Sequence, residues 1–163
     1  MKTLYLVRHA KSSWEEPGVS DADRPLIPKG IKKTRLIIDF LQKRGTTIDL
    51  IISSPAVRAF ETAKLIAAGL NFPVNKIKTD RKIYDGYYDR ILDIIYGAAD
   101  SIDSLMIFGH NPTITQLANL FLHPGIDNMP TSCIVCLSFN VDKWVDIPSN
   151  EAKQEFIIFP KML

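Results

Sequence analysis

The chain has 163 residues, 46% of them apolar, and a formal net charge of +2 from 20 basic and 18 acidic side chains. That is the size and composition of one globular domain with a proper core, so residues 1–163 read as a single domain. The near-balance of charge, with no basic run longer than Lys32-Lys33, gives no electrostatic basis for a nucleic acid partner, and no window approaches the ~20 apolar residues of a membrane span.

The first predicted element is Leu4 to Val7, an apolar run of the length of a buried strand. It ends in Arg8 and His9, which places a cation and an imidazole at the carboxyl tip of a strand, where α/β sheets bind ligands. The same two residues interrupt the run too early for a signal peptide. Lys11 to Pro28 is rich in Ser, Asp and Pro and reads as a loop over that tip, tied together by Asp23 and Arg24 as an ion pair or turn. A helix opens at Lys29 or Gly30 and runs to about Arg44, with Ile31, Ile38 and Leu41 on one stripe and Gly45 as its stop. Asp49 to Ser53 is the second strand. Ser54 is the expected N-cap and Pro55 the first-turn residue of the next helix, whose apolar face is Ala56, Ala59, Phe60, Ala63, Ala67 and Leu70.

A short strand is expected near Lys76 to Thr79, and a helix from Tyr87 to about Ala98. Leu105 to Phe108 is a buried strand that leads through Gly109 to His110, and Pro112 to Leu122 is a helix. His123, before Pro124-Gly125, reads as a helix-end histidine without a function. Ile134 to Phe139 and Glu155 to Phe159 have no helix between them and pair antiparallel at or near a sheet edge, connected by Lys143 to Asn150. Alternating strands and helices argue a three-layer α/β domain.

Cys133 and Cys136 form a lone Cys-x-x-Cys. With no third cysteine and only three histidines, a structural zinc site lacks ligands. On a strand their spacing points them to opposite faces, so they read as buried reduced thiols. Without a disulfide framework or targeting signal, the expected location is cytoplasmic.

Three apolar runs thus deliver an Arg or a His at or just past a strand end: Arg8 and His9, then Arg58, then His110. Arg8-His9-Ala10 resembles the signature of the histidine phosphatase superfamily, an Arg-His-Gly or Arg-His-Ala after the first strand. The fuller stretch Arg8-His9-Ala10-Lys11-Ser12-Ser13-Trp14, then Asp23-Arg24-Pro25-Leu26 and Gly30, is similar to its small SixA-type branch, the phosphohistidine phosphatases. Ser53-Ser54-Pro55-Ala56-Val57-Arg58-Ala59 with Thr62-Ala63, and Gly109-His110-Asn111-Pro112, fit the same branch in the same order. The resemblance implies a phosphoglycerate mutase-like fold: a mixed, mostly parallel sheet between two helical layers. The short chain between Arg58 and His110 leaves no room for a large cap insertion.

Phosphoryl transfer asks for positioning and for positive charge around the transferring oxygens. Arg8 and Arg58 offer planar forks of donors that match phosphate, so no metal or other cofactor is required. By resemblance His9 is the nucleophile and His110 a hydrogen-bond donor to the same phosphoryl group. Ser12 matches a position that contacts phosphate in many relatives, and it also reads as a simple loop serine. Lys11 reads as a solvated lysine that could steer acidic substrates.

Two departures stand out. Glu15 follows Trp14 where several larger relatives carry an asparagine. Those relatives also keep a glutamate as general acid for an alkoxide leaving group, and the matching region here offers only Asp85. Imidazole can be protonated near neutral pH, so phosphohistidine already carries a good leaving group. The expected activity is removal of phosphate from phosphohistidine on a protein, such as a histidine phosphotransfer domain, through a phosphohistidine intermediate. The alternatives are a phosphomonoesterase for a small phosphorylated metabolite and a non-catalytic module that binds phosphorylated ligands.

Overall fold

The computed structural model describes residues 1–14, 17–148 and 151–163. Six strands form one sheet in the order β3-β2-β4-β1-β5-β6. They are β1 (Lys2–Arg8), β2 (Leu50–Ser53), β3 (Lys78–Thr79), β4 (Ser104–Gly109), β5 (Ile134–Phe139) and β6 (Lys153–Ile158). β1 to β4 run parallel, while β5 runs antiparallel to β1 and β6 antiparallel to β5. The mixed sheet and the terminal antiparallel pair match the expectation. Five helices flank it: α1 (Pro28–Lys43), α2 (Val57–Gly69), α3 (Lys82–Asp85), α4 (Tyr88–Tyr96) and α5 (Thr113–Asn119).

β1 and β4 are apolar on both faces because both faces are covered. Leu4, Leu6, Leu105 and Ile107 pack with Ile91 and Ile95 of α4 and Ile114 and Leu117 of α5. Tyr5, Val7, Met106 and Phe108 pack with Ile37, Ile38 and Leu41 of α1 and Ala63, Ile66 and Ala67 of α2. Each side is one hydrophobic core, and the sheet lies between them. Cys133 belongs to the first cluster and Cys136 to the second, both free and buried, as a period of two predicts. Burial pushes both thiols up to about 12.

Three details differ from the sequence reading. α2 begins at Val57, after an Ala56 N-cap position with no side-chain cap, so Ser54 is not the N-cap and Pro55 lies before the first turn. The Ser54 hydroxyl is engaged elsewhere, as described below. A one-turn helix, α3, appears where none was expected; it buries Ile83 and sends Tyr84 the other way. The stretch from Lys143 carries a short turn at Trp144–Asp146 that fully buries Trp144, whose indole N–H donates to the Ile102 carbonyl at 2.8 Å. Its last residues, Ser149 and Asn150, lie outside the described ones.

Lys2 is a charged residue inside the fold, 2% exposed. Its ammonium donates to the carbonyls of Asp100 and Ile102 and to the Asp103 carboxylate, at 2.6, 2.8 and 3.0 Å. All three of its donors are satisfied, which is what makes the burial tolerable. No helix among the described residues is long and apolar enough to cross a membrane.

Candidate active site

β1 and β4 are neighbours in parallel register, with Arg8 opposite Gly109. His9 and His110 therefore step off adjacent strand tips together, and their rings lie 5.2 Å apart. The His9 backbone N–H donates to the Gly109 carbonyl at 3.1 Å. A Cβ on Gly109 would stand 3.3 Å from Ile83 and 3.4 Å from Ile114, so the packing under the two histidines admits glycine most easily.

His9 is 7% exposed. Its Nδ1 lies 2.7 Å from the Ala10 carbonyl. A carbonyl can only accept, so Nδ1 carries the proton and Nε2 keeps a lone pair. Burial, helped by the cations of Arg58, Arg8 and Arg24, lowers its pKa to about 4, and the ring is neutral at pH 7. A neutral imidazole with one free nitrogen is a nucleophile.

His110 Nε2 lies 2.7 Å from Ser54 Oγ. That oxygen also accepts the Ala56 N–H at 3.1 Å, so its own proton is free to point at Nε2. With Ser54 as the donor in this contact, His110 carries its proton on Nδ1 and can present it to an acceptor. Burial first, and then His9 and Arg58, lower its pKa to about 3. Thr62 joins the two halves of the site. Its hydroxyl accepts the Ala10 N–H at 2.9 Å and donates to the Arg58 carbonyl at 2.6 Å, fixing the β1 tip to the first turn of α2.

Arg58 is 5% exposed and Arg8 is part-buried. Arg8 Nη1 donates to the Met129 carbonyl at 3.0 Å. Asn111 holds that carbonyl from the other side, through its amide at 2.9 Å. Arg58 donates from Nη1 to the Asp21 carbonyl at 2.7 Å and from Nη2 to the Asp21 carboxylate at 3.1 Å. Arg8 Nε, Arg58 Nε and His110 Nδ1 are buried with no hydrogen-bond partner among the described residues. Buried donors normally have acceptors. Three left over on side chains near the neutral His9 are donors that could serve the oxygens of an anion.

The long loop over the site contributes Asp21, which the sequence reading passed over. Its carboxylate also accepts the Tyr84 hydroxyl at 2.7 Å and Arg24 Nε at 3.2 Å. The Tyr84 hydrogen bond and the Arg58 cation hold Asp21 below the usual carboxylate range, while the same bond raises the phenol. The Tyr84 ring stands edge-on to His110 at 5.6 Å. Arg24 thus pairs with Asp21 and not with Asp23, whose carboxylate accepts the Ser20 hydroxyl. Arg24 also lies over the Trp14 ring, 4.0 Å from its centre.

Ser12 is buried, and its backbone bridges Leu26, closing the base of the loop. Lys11 is exposed. Asp85 is exposed and faces Arg81 at 3.5 Å, on the outer side of α3, so it makes no contact with the four central residues. His123 is exposed and joins none of them. Glu15 lies outside the described residues. No group of three or more His, Cys, Asp or Glu among the described residues could hold a metal ion.

Residues 4–84 match the family model of the histidine phosphatase superfamily, branch 1. The chain is 31% identical over 112 residues to an uncharacterized protein of Mycobacterium tuberculosis, Rv1276c, covering 69% of this chain and 67% of that one. It is 39% identical over 85 residues to phosphoserine phosphatase 1 of Hydrogenobacter thermophilus, covering 51% of this chain and 38% of that enzyme. Among solved structures it superposes on "the putative phosphohistidine phosphatase SixA from Agrobacterium tumefaciens" with a TM-score of 0.83 and 25% identity, over 98% of both chains. With the strand-tip Arg8-His9 pair, the sheet order and these matches in agreement, the chain belongs to the histidine phosphatase superfamily, branch 1.

Proposed function

We propose that the protein removes phosphate from phosphohistidine on another protein, using His9 as a covalent nucleophile and no metal. The observation that carries this reading is the set of three unpartnered buried donors beside a neutral His9. The lone pair on His9 Nε2 attacks phosphorus as the substrate P–N bond breaks. The electron pair leaves with the substrate imidazole, which takes a proton from solvent. Arg8, Arg58 and the Nδ1–H of His110 neutralise the three non-bridging oxygens throughout. Water then attacks the phosphorylated His9; Nε2 departs with the bonding pair, and inorganic phosphate carries the new oxygen.

The preference for P–N over P–O rests on the absence of a proton donor among the described residues of the site. Its one carboxylate, Asp21, is held in the ionised state, and Asp85 is turned away. An alkoxide would need a general acid, whereas an imidazole does not. The likeness to a SixA structure fits this reading. Similarity to a phosphoserine phosphatase favours the rival, a small-molecule phosphomonoesterase. A silent phosphate-binding module would have no use for a neutral, tautomer-fixed His9. Two buried free thiols fit action in the reducing cytoplasm.

The test is turnover of a phosphohistidine protein, an aryl phosphate and several sugar phosphates side by side. Rapid quench with labelled substrate should trap acid-labile, base-stable phosphate on His9, and His9→Ala should abolish turnover while the protein stays folded. Asp85→Asn should leave phosphohistidine hydrolysis within about twofold. A loss of roughly a hundredfold, the scale of general acid catalysis, would replace this reading with the monoesterase.

A further inference from the structure

We propose that Asp21 selects substrates by the charge of the leaving group, favouring those that carry a positive charge or an N–H donor and rejecting those that carry a carboxylate. This rests on the phosphatase reading of the site and adds a specificity-determining residue to it.

The site has a direction. His9, Ser54 and Arg58 are buried, whereas the Asp21 side chain is 56% exposed and lies on the loop that covers them. In-line attack by His9 from the buried side expels the leaving group toward solvent. The leaving group must therefore pass the groups at the mouth, which among the described residues include Asp21 and Tyr84. Among the described residues, Asp21 is the only carboxylate in contact with Arg58 or with the Tyr84 that packs on His110.

Its role is not proton transfer. Tyr84, Arg58 and Arg24 all donate to Asp21, and all three contacts favour the charged form. A group held ionised cannot donate a proton, but it does set one negative charge against the guanidiniums of Arg58 and Arg24, and removing it makes the mouth more positive by one unit. An oxygen bound to the Arg58 guanidinium would lie within about 5 Å of Asp21 Oδ2, and the leaving group is bonded to the same phosphorus as that oxygen. Through water-screened surroundings, a unit charge at that distance alters binding about four- to tenfold. Turning a cationic leaving group into an anionic one counts that factor twice. The imidazole of phosphohistidine, with a second nitrogen that can carry N–H, presents the favoured pattern. Phosphoglycerate presents the rejected one.

The experiment uses two alkyl phosphates with the same bond to phosphorus, ethanolamine phosphate (cationic) and 3-phosphoglycerate (anionic). Dissociation constants are measured by calorimetry and kcat/KM by phosphate release, for wild type, Asp21→Asn and Asp21→Glu. Asp21→Asn keeps an oxygen for Arg58 and Tyr84 but removes the charge. Weakening the Arg58 pair changes the affinity for both esters alike, so the readout is their ratio. The expected result is a cationic-to-anionic preference ratio that falls at least tenfold from wild type to Asp21→Asn and keeps its wild-type value in Asp21→Glu. A ratio that stays within twofold in Asp21→Asn, with both esters moving together, would overturn the proposal and leave Asp21 as a loop support. Absence of phosphate binding by wild type would overturn it as well. P–N preference is scored separately, with the phosphohistidine protein against aryl phosphate in wild type. Its loss would remove the phosphohistidine reading and leave the ester ratio to stand on its own.

Discussion

Lowering the pH from 7.5 to 5 should destabilise this protein by about 4 kcal/mol, and His9 and His110 set that figure. Burial lowers their pKa values from 6.5 to about 4 and about 3 in the folded state. Between 6.5 and those values the unfolded chain binds protons that the native site refuses. Stability therefore rises with pH through this window; it is complete above pH 6.5 and is lost as the pH falls. At pH 5 each imidazole has cost about 1.36 kcal/mol for each of about 1.5 pH units, or about 2 kcal/mol per histidine. That is a large share of the ~5–15 kcal/mol that holds a domain together. The window isolates the histidines, because Asp21 and Glu155 are held below ordinary carboxylate values and titrate only at lower pH. Urea unfolding at the two pH values gives the number. His110→Asn should remove about half of the pH dependence whatever it does to stability at pH 7.5. A change under about 1 kcal/mol between the two pH values would refute a desolvated, neutral pair, and with it the tautomer assignments on which the nucleophile depends.

Three further outcomes are expected. Ser54→Ala should lower kcat about tenfold or more with little change in KM, since His110 would lose the hydroxyl that places its proton on Nδ1; kinetics on aryl phosphate would show it, and an equal rise in KM would argue against a tautomer role. Lys2→Met should cost about 1–2 kcal/mol in urea unfolding, because it takes the ammonium away from the Asp100 carbonyl and the Asp103 carboxylate, while the Ile102 carbonyl keeps the Trp144 indole N–H. Activity should survive exhaustive dialysis against a chelator, and restoration by magnesium or manganese of an activity lost there would contradict a charge balance supplied by Arg8 and Arg58.

What was legible in the sequence was whatever local pattern determines. Leu4 to Val7 and Leu105 to Phe108 are apolar at every position, so they had to be covered on both sides, and as parallel neighbours they bring Arg8, His9 and His110 to one edge of one sheet. Cys133 and Cys136 fall on opposite faces for the same reason of period. The illegible contacts are those made across the chain by short polar residues. Ser54 before Pro55 has the local look of an N-cap, yet its hydroxyl is drawn to a histidine 56 residues away, and the helix starts later. Asp23 stands next to Arg24, but the short helical turn at Asp21–Asp23 puts Asp21 against both Arg24 and Arg58 and faces Asp23 toward Ser20. Asp85 and Tyr84 are neighbours in a one-turn helix whose Ile83 is buried. Once Ile83 points inward, Tyr84 reaches Asp21 and His110 while Asp85 is carried to solvent. Between Lys82 and Gly86 it is thus Tyr84, and not Asp85, that contacts His110 and Asp21. The residue that does reach the site there is a phenol bonded to an ionised acid, an arrangement that can hold charge in place and is poorly suited to giving up a proton.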